Sequence, residues 1–220
     1  MTENLHELTL DELRPLLGAA LPADAAFDGW TPRALEATAA RLQLNPAIAA
    51  LVFPKGAVDM IDAWFASIDA GMLEKLTPDA LAAMKVRERI TALVEARLGL
   101  IAPHREALRR AQAILAVPTN APTAIHLGWR AADAMWRAAG DSATDYNHYT
   151  KRAILGGVYA ATLMVFVNDE SEGQAETRAF LARRIEGIMR FEKAKARFTS
   201  GPDLMFSPAR FLGRLRYPAR

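Results

Sequence analysis

The sequence contains no cysteine, which excludes disulfides, thiol catalysis and cysteine-based zinc sites. Glycine-rich phosphate loops, the GxSxG nucleophile motif and the HExxH zinc motif are also missing, so nucleotide binding, serine hydrolysis and zinc proteolysis have no motif to support them. The longest apolar run, Ala153–Val167, is shorter than the ~20 residues that a membrane-spanning helix needs. No segment alternates apolar and polar residues as a strand does, and Ala, Leu, Arg and Glu are abundant, so an all-α fold is expected.

Histidine is scarce, with four residues in 220. His104, His126 and His148 fall on three different predicted helices, and the single Glu-x-x-His pair, Glu3 and His6, lies close to residue 1. A di-iron carboxylate site in a helical bundle needs two such pairs on facing helices. We therefore expect no metal site, no cofactor and no enzymatic activity.

The net charge of +2 is unevenly distributed along the chain. Residues 190–220 contain eight basic and two acidic side chains, a balance of +6, which leaves 19 basic and 23 acidic residues, or −4, for the rest. The first 28 residues are acidic, unlike a secretory or mitochondrial presequence. A bacterial cytoplasmic protein or an already processed mitochondrial chain would fit this pattern.

The N-terminal region has the spacing of a helix-turn-helix motif. A first helix is predicted over Thr9–Leu21, and Thr31-Pro32 and Asn45-Pro46 are strong start signals for two short helices, Pro32–Leu42 and Pro46–Phe53. The third of these helices, PAIAALVF, has no charged or amide side chain with which to bind base edges or phosphates. DNA binding is therefore not expected, and we interpret the motif as a packing unit.

Six more helices are predicted after this region, each delimited by proline, glycine or capping signals. They cover Ala57–Leu76, Thr77–Ile101, Pro103–Leu115, Thr119–Gly140, Asp145–Asn168 and Gln174–Arg197. The charged residues of the second of them are interpreted as a solvated face, namely Arg87, Glu88, Arg89, Glu95 and Arg97. The helix over Asp145–Asn168 is apolar on every side and is expected to lie centrally, covered by other helices or by a dimer partner. Its Tyr159, Met164 and Phe166 are expected to form core or to line a cavity.

One polar segment, Ala139–Arg152, separates two apolar helices and is called the corner below. Asp145, His148, Tyr149 and Arg152 share one face of the helix that follows it. An active site, a helix cap formed by Ser142 and Asp145, or a protein-docking face would each use these residue types. Since no nucleophile or metal motif accompanies them, we favour the docking face.

Three segments carry a family resemblance: GWTPRALEATAARL, AMWRAAGDSATDYNHYTKRAIL and RAFLARRIEGIM. They resemble the accessory proteins of ubiquinone biosynthesis that form the coenzyme Q nine family, and the similarity covers roughly residues 30–191. The resemblance implies a TetR-like all-α fold of nine to ten helices that has lost DNA binding. It also implies a homodimer, a hydrophobic pocket for an isoprenoid quinone or phospholipid, and a surface that docks the di-iron hydroxylase acting on demethoxyubiquinone.

The resemblance also implies roles for particular residues. The partner-binding face would comprise Met135, Trp136, Asp145, His148, Tyr149 and the adjacent Arg152. The lipid-binding residues would be Trp64, Leu98, Trp136, Leu155, Tyr159 and Met164. The chain departs from the family at His148, where the relatives have tryptophan, and this puts the identity or affinity of the partner in question.

The basic C-terminal segment predicts an amphipathic helix that starts at Ser207-Pro208 and binds an anionic membrane surface. Its membrane-binding residues would be Phe206, Arg210, Phe211, Leu212, Arg214, Leu215 and Arg216. A tail that folds back on its own domain remains the alternative.

We accordingly predict three parts: a helix-turn-helix-like module (1–56), a ligand-binding and dimerisation domain (57–200) and a membrane-binding tail (201–220). The expected protein is a non-enzymatic lipid carrier of ubiquinone biosynthesis, cytoplasmic and peripheral to the inner membrane, or on the matrix side if mitochondrial. It would hold the isoprenoid tail in its pocket and present the ring to the hydroxylase. The alternative is a TetR-type transcriptional regulator with a small apolar ligand.

Overall fold

The computed structural model describes residues 7–141 and 146–199, with side chains 146, 147, 189 and 191–199 left out of the description. These residues form ten α-helices joined by short turns and three 3₁₀ segments, so the predicted all-α fold is confirmed. The helices are α1 (Leu10–Asp28), α2 (Pro32–Arg41), α3 (Pro46–Val52), α4 (Ala57–Lys75), α5 (Pro78–Ala82), α6 (Val86–Ile101), α7 (Arg105–Leu115), α8 (Ala121–Ala138), α9 (Tyr146–Phe166) and α10 (Ala175–Thr199).

Three helices begin at the predicted capping residues. Thr31, Asn45 and Thr77 each accept a hydrogen bond from a backbone amide in the first turn of α2, α3 and α5, and a proline follows each cap. The cap satisfies an amide that has no partner within the helix, and the proline removes another. These start signals are therefore confirmed.

Two predicted helix boundaries were wrong. The first helix does not end at Leu21 but runs through Pro22 to Asp28, since Leu17, Leu21 and Ala25 continue one buried stripe. The helix predicted over Thr77–Ile101 is two helices, α5 and α6. Arg89 accounts for the break, because its guanidinium donates to the carbonyls of Ala82 and Met84 at the end of α5.

The N-terminal helices pack tightly on α4. Gly18 lies so close to this helix that a Cβ added there would be 2.7 Å from the carbonyl carbon of Ala63. Trp30 anchors the turn after α1, because its ring stacks 5.3 Å from Trp64 and its indole nitrogen donates to the carbonyl of Ala107. The module that resembles a helix-turn-helix is therefore built into the same core as the helices that follow it.

Helix α9 packs along α8, and one of its faces, with Ala153, Gly157, Ala160 and Met164, is exposed in the single chain. Leu155, Tyr159 and Phe166 of α9 are buried as expected, but Met164 is 66% exposed in the single chain. Whether a second copy covers this face, as the predicted homodimer requires, stays a prediction.

Contacts group the chain into one unit that ends at Leu181 and a second that begins at Ala182. The predicted division into three parts stays a prediction.

Asp169 organises the turn between α9 and α10. Its carboxylate accepts the backbone and hydroxyl donors of Ser171 and Thr177 at 2.5–2.9 Å, and Asp169 is buried. Burial would raise the pKa of this carboxyl, but the four hydrogen bonds hold the pKa well below its usual value.

Replacing Asp169 with asparagine is expected to lower the free energy of unfolding by about 1–2 kcal/mol at pH 7, because an amide nitrogen cannot accept these donors. The contribution of a carboxyl with a lowered pKa is present above the unfolded value of about 3.9 and is lost as the pH falls below it. The difference between wild type and variant in urea denaturation should therefore be nearly constant from pH 7 to about pH 5 and shrink as the pH falls below about 4. The exposed neighbour Glu170, changed to glutamine, serves as the control, and a difference that does not vary with pH would contradict the assignment.

Candidate functional site

The described residues form an apolar cavity of about 420 Å³ between α4, α7, α8 and α9, which is open to solvent on one side. Its lining comprises Phe65, Gln112, Leu115, Ala116, Ala124, Leu127, Gly128, Tyr159, Ala160, Leu163 and Met164. The buried members of this set form the floor, whereas Ala116, Ala160 and Met164 are exposed and form the rim. A cavity of this size and character encloses a drug-sized apolar molecule or part of a longer one.

Two of the predicted lipid-binding residues, Tyr159 and Met164, lie in this cavity. The structure places the others elsewhere: Trp64 stacks on Trp30, Leu98 lines a second cavity of about 190 Å³, and Leu155 is buried one turn before Tyr159. Trp136 belongs to the corner, where its indole donates to the carbonyl of Lys151 at 3.0 Å. The lipid-binding role of all six residues stays a prediction.

Sequence reasoning missed most of the cavity wall, including Phe65, Leu127 and Leu163. A signal was nevertheless present on α8, where Ala124 and Gly128 are one turn apart. Small residues at that spacing leave room beside a helix. The open space is measurable at Gly128, since a Cβ added there would meet nothing within 4 Å.

A buried arginine lies beneath the cavity floor. The side chain of Arg97 is fully buried, donates to Asp69, and has its guanidinium carbon 4.8 Å from the centre of the Tyr159 ring. Its prediction as part of a solvated face was wrong, because Asp69 and the Tyr159 ring replace water around the charge. Burial raises the pKa of the Tyr159 hydroxyl, and the charge of Arg97 opposes this rise, so the phenol is neutral at physiological pH.

Arg97 is the inner end of a row of ion pairs that follows α4. Asp69 also binds Arg130 of α8 at 3.0 Å, and Arg130 in turn binds Asp62 at 2.5 Å. Asp62 completes the row by binding Arg14 of α1 at 2.9 Å. Burial would raise the pKa of Asp62, but Arg130 and Arg14 hold that pKa below its usual value.

A second buried cluster fixes the corner. Arg152 is 2% exposed and binds Asp133 at 2.5 Å and Asp141 at 3.1 Å, while Lys151 binds the other oxygen of Asp141 at 2.6 Å. Burial would raise the pKa of Asp141, but Lys151 and Arg152 hold it below its usual value. Arg152 therefore contributes to the corner by pairing with acidic neighbours rather than by facing solvent.

Three rings lie side by side next to this cluster. His148 lies 5.1 Å from Tyr149, and Trp129 of α8 lies 6.0 Å from Tyr149 and 6.4 Å from His148 between ring centres. Tyr149 is 62% exposed. We call Trp129, His148 and Tyr149 the aromatic face.

The predicted partner-binding residues are only partly brought together. His148 and Tyr149 belong to the aromatic face, but Met135 is fully buried and lies beneath the surface rather than on it. Trp136 is half-buried, with Lys151 5.3 Å from its ring centre. Asp145, and the proposed cap by Ser142 and Asp145, lie outside the described residues, as do all the predicted membrane-binding residues from Phe206 to Arg216. The partner-binding and membrane-binding roles stay predictions.

The structure also provides observations on metal binding and on DNA binding. Across residues 7–141 and 146–199, no three histidine or acidic side chains are grouped so that they would hold a metal ion. Helix α3, which would read DNA in a helix-turn-helix protein, exposes Ile48 and Leu51 instead of polar side chains.

Comparison with known proteins identifies the family. The sequence profile of the COQ9 family matches residues 121–192, which contain the corner, α8 and α9. The mitochondrial ubiquinone biosynthesis protein COQ9 of Rattus norvegicus is 33% identical over 168 residues, covering 73% of this chain, and that of Homo sapiens is 32% identical over 181 residues, covering 79%. This chain belongs to the COQ9 family. The predicted family is confirmed.

The COQ9 match does not extend over the full length of the relatives. The chain spans about half the length of the curated relatives it matches, with 54% of the rat protein and 56% of the human protein covered. The COQ9 protein of Drosophila melanogaster is 25% identical over 194 residues. All three relatives are named as mitochondrial.

The fold of this COQ9-family chain is TetR-like, as predicted. The crystal structure of a TetR transcriptional regulator from Nitrosomonas europaea superposes with a TM-score of 0.63 and 25% sequence identity. The superposition covers 79% of this chain and 96% of the regulator. Of the described helices, none combines the length and apolarity needed to cross a membrane.

Proposed function

We propose that this chain is a non-enzymatic accessory protein of ubiquinone biosynthesis that binds an isoprenoid quinone precursor and brings it to a hydroxylase. The observation that carries the proposal is the apolar cavity between α4, α7, α8 and α9, in a chain of the COQ9 family. An isoprenoid tail is insoluble in water, and burying it in such a cavity is favourable in proportion to the apolar area removed from water.

The aromatic face supports the second half of the proposal. Tyrosine and tryptophan are the residue types that most often dominate the binding energy of protein interfaces. Tyr149 is exposed next to Trp129 and His148, and the buried Arg152 cluster holds this part of α9 against α8. We propose that the hydroxylase docks here, that two copies of the chain associate, and that the basic tail attaches the complex to the inner membrane from the cytoplasm or matrix.

The TetR-like fold does not by itself favour gene regulation. The exposed surface of α3 is apolar at Ile48 and Leu51, and such side chains donate no hydrogen bonds to bases or phosphates. A regulator would need a basic recognition surface to provide the electrostatic part of its DNA affinity.

Filling the cavity at Gly128 tests the proposal. Phenylalanine at this position would extend from α8 into open space and occupy part of the cavity in which we place the lipid. The substitution does not lower helix propensity, because glycine is the poorer helix former. Gly128→Phe is expected to retain less than about a fifth of the lipid that co-purifies with the wild type, measured by mass spectrometry of extracts per mole of protein.

The matched control is Gly157→Phe on α9. Gly157 also has open space around its Cβ position, but it is not among the residues that line the cavity. This variant should retain the wild-type amount of lipid. Wild-type protein without lipid, or equal lipid in the Gly128 and Gly157 variants, would overturn the proposal.

A further inference from the structure

One residue of the cavity lining differs in chemistry from the rest. Gln112 of α7 carries an amide, whereas the other described lining side chains are hydrocarbon apart from Tyr159. The hydroxyl of Tyr159 is fully buried next to Arg97 and has no surface in the cavity. Among the described residues, a polar side-chain group that faces the cavity can therefore come only from Gln112.

Gln112 lies on the side of α7 that meets α9. Arg109, three residues earlier, donates to the carbonyl of Val167 at the end of α9, and Ala116, one turn later, is exposed at the rim of the cavity. Residues three and four apart share one face of a helix. Gln112 is half-buried, which is consistent with a position between the buried floor and the open side of the cavity.

The amide of Gln112 has no hydrogen-bond partner among residues 7–141 and 146–199. Solvent can reach it, because the cavity is open on one side. A lipid that fills the cavity would exclude this solvent, and a buried amide without a partner is costly. A pure hydrocarbon leaves that cost unpaired, whereas a lipid with an oxygen near the open side replaces the lost hydrogen bond.

The charges around Gln112 determine which kind of oxygen fits. No lysine, arginine or histidine belongs to the described lining. The two cations nearest to Gln112 along α7, Arg109 and Arg110, are both bound to Glu106, at 2.7 and 3.0 Å. An anionic head group would therefore lose hydration here without gaining an ion pair. An amide both donates and accepts, so it can pair with a quinone carbonyl and with a quinol hydroxyl.

We propose that Gln112 forms a hydrogen bond with the neutral head of the bound lipid, a quinone or quinol ring, at the open side of the cavity. This inference rests on the proposed function and adds an orientation to it. The hydrocarbon next to the ring packs on the apolar floor formed by Phe65, Leu127 and Leu163. The ring stays at the open side, where an enzyme can reach it. Because about 420 Å³ holds only part of a long tail, the remainder leaves through the same opening.

Three probes with the same decyl chain test the assignment: 2-decyl-1,4-benzoquinone has carbonyl acceptors, decylbenzene has none, and decyl phosphate is anionic. Their dissociation constants would be measured by displacement of the neutral fluorophore N-phenylnaphthylamine from full-length wild type and Gln112→Met. Methionine keeps an unbranched side chain of similar size without the amide. We expect the variant to bind the quinone about fivefold more weakly, the equivalent of one hydrogen bond. It should bind decylbenzene at least as tightly as wild type does, since no amide is then buried without a partner.

Ala113→Met is the matched control, because it introduces the same side chain at the next position of α7, which is exposed and outside the cavity lining. It should leave all three affinities within about twofold of wild type. The thermal denaturation midpoint of Gln112→Met should not fall, since the amide has no partner to lose among the described residues. This measurement separates an effect on the ligand from an effect on folding.

The possible results distinguish the inference from the proposed function. If Gln112→Met binds the quinone as the wild type does while decylbenzene still binds, the inference is wrong and the lipid cavity stands. An equal loss of affinity for decylbenzene and the quinone would also overturn it, because the shape of the cavity would then explain both. If decyl phosphate depends on Gln112 more than the quinone does, the neutral class is wrong. If wild type binds none of the three probes, the proposed function itself fails.

Discussion

Replacing Arg152 with alanine is expected to lower the free energy of unfolding by about 3 kcal/mol. The substitution leaves the carboxylate of Asp141, whose side chain is 7% exposed, and that of Asp133 without the guanidinium that lies between them. It also removes the donor to the carbonyl of His148. Removing one partner of a buried ion pair is costly because the remaining charge stays desolvated. Urea denaturation followed by circular dichroism would measure the change.

Arg137→Ala provides the control within the same cluster. Arg137 also binds Asp133, at 2.8 Å, but its side chain is 73% exposed, so water already screens the pair. Its removal should change the free energy of unfolding by less than about 0.5 kcal/mol. Equal losses for the two arginines would show that burial does not give Arg152 its importance.

Replacing Gly18 with alanine is expected to lower the free energy of unfolding by about 2 kcal/mol. The added methyl group would lie 2.7 Å from the carbonyl carbon and 2.8 Å from the carbonyl oxygen of Ala63. Backbone atoms cannot rotate away as a side chain does, so α1 and α4 must separate and lose packing along their length. The loss outweighs the better helix propensity of alanine, which alone is worth about 1 kcal/mol.

Gly157→Ala isolates the helix propensity from the steric effect. Gly157 lies within α9, and a Cβ there would meet nothing within 4 Å. This variant should be about 0.5–1 kcal/mol more stable than wild type in the same urea titration. A gain of stability at Gly18 as well would mean that the two helices tolerate a wider spacing than the structure has.

The fold was largely predictable because its helix starts are local signals. A threonine or asparagine followed by proline caps a helix through atoms within four residues, and Thr31, Asn45 and Thr77 did so as expected. The break between α5 and α6 was not predictable in this way. It depends on Arg89, which reaches back to two carbonyls and also donates to Ala139 at the corner, fifty residues away.

The candidate site was less predictable, since it is formed by contacts between residues that are far apart in the sequence. Tyr159 and Met164 stood out as large residues on an apolar helix, and both line the cavity. Arg97 was interpreted as a solvated charge because it lies in a run of charged residues. Its partner Asp69 is 28 residues earlier in the chain, so the local sequence does not reveal the ion pair. Met135 was expected at the surface from the resemblance to the family, but the packing of α8 buries it.

Asp62 forms ion pairs with two different helices, and this affects how far α4 can move. Because Asp62 binds Arg14 of α1 and Arg130 of α8, the helix that brings Phe65 to the cavity is braced from two sides. If α4 followed a ligand toward α8, it would pull against α1, and the first three helices would resist the movement. These helices thus brace α4, which contributes Phe65 to the cavity wall. The N-terminal helices, whose α3 exposes Ile48 and Leu51, thus have a structural part in supporting the wall of the cavity.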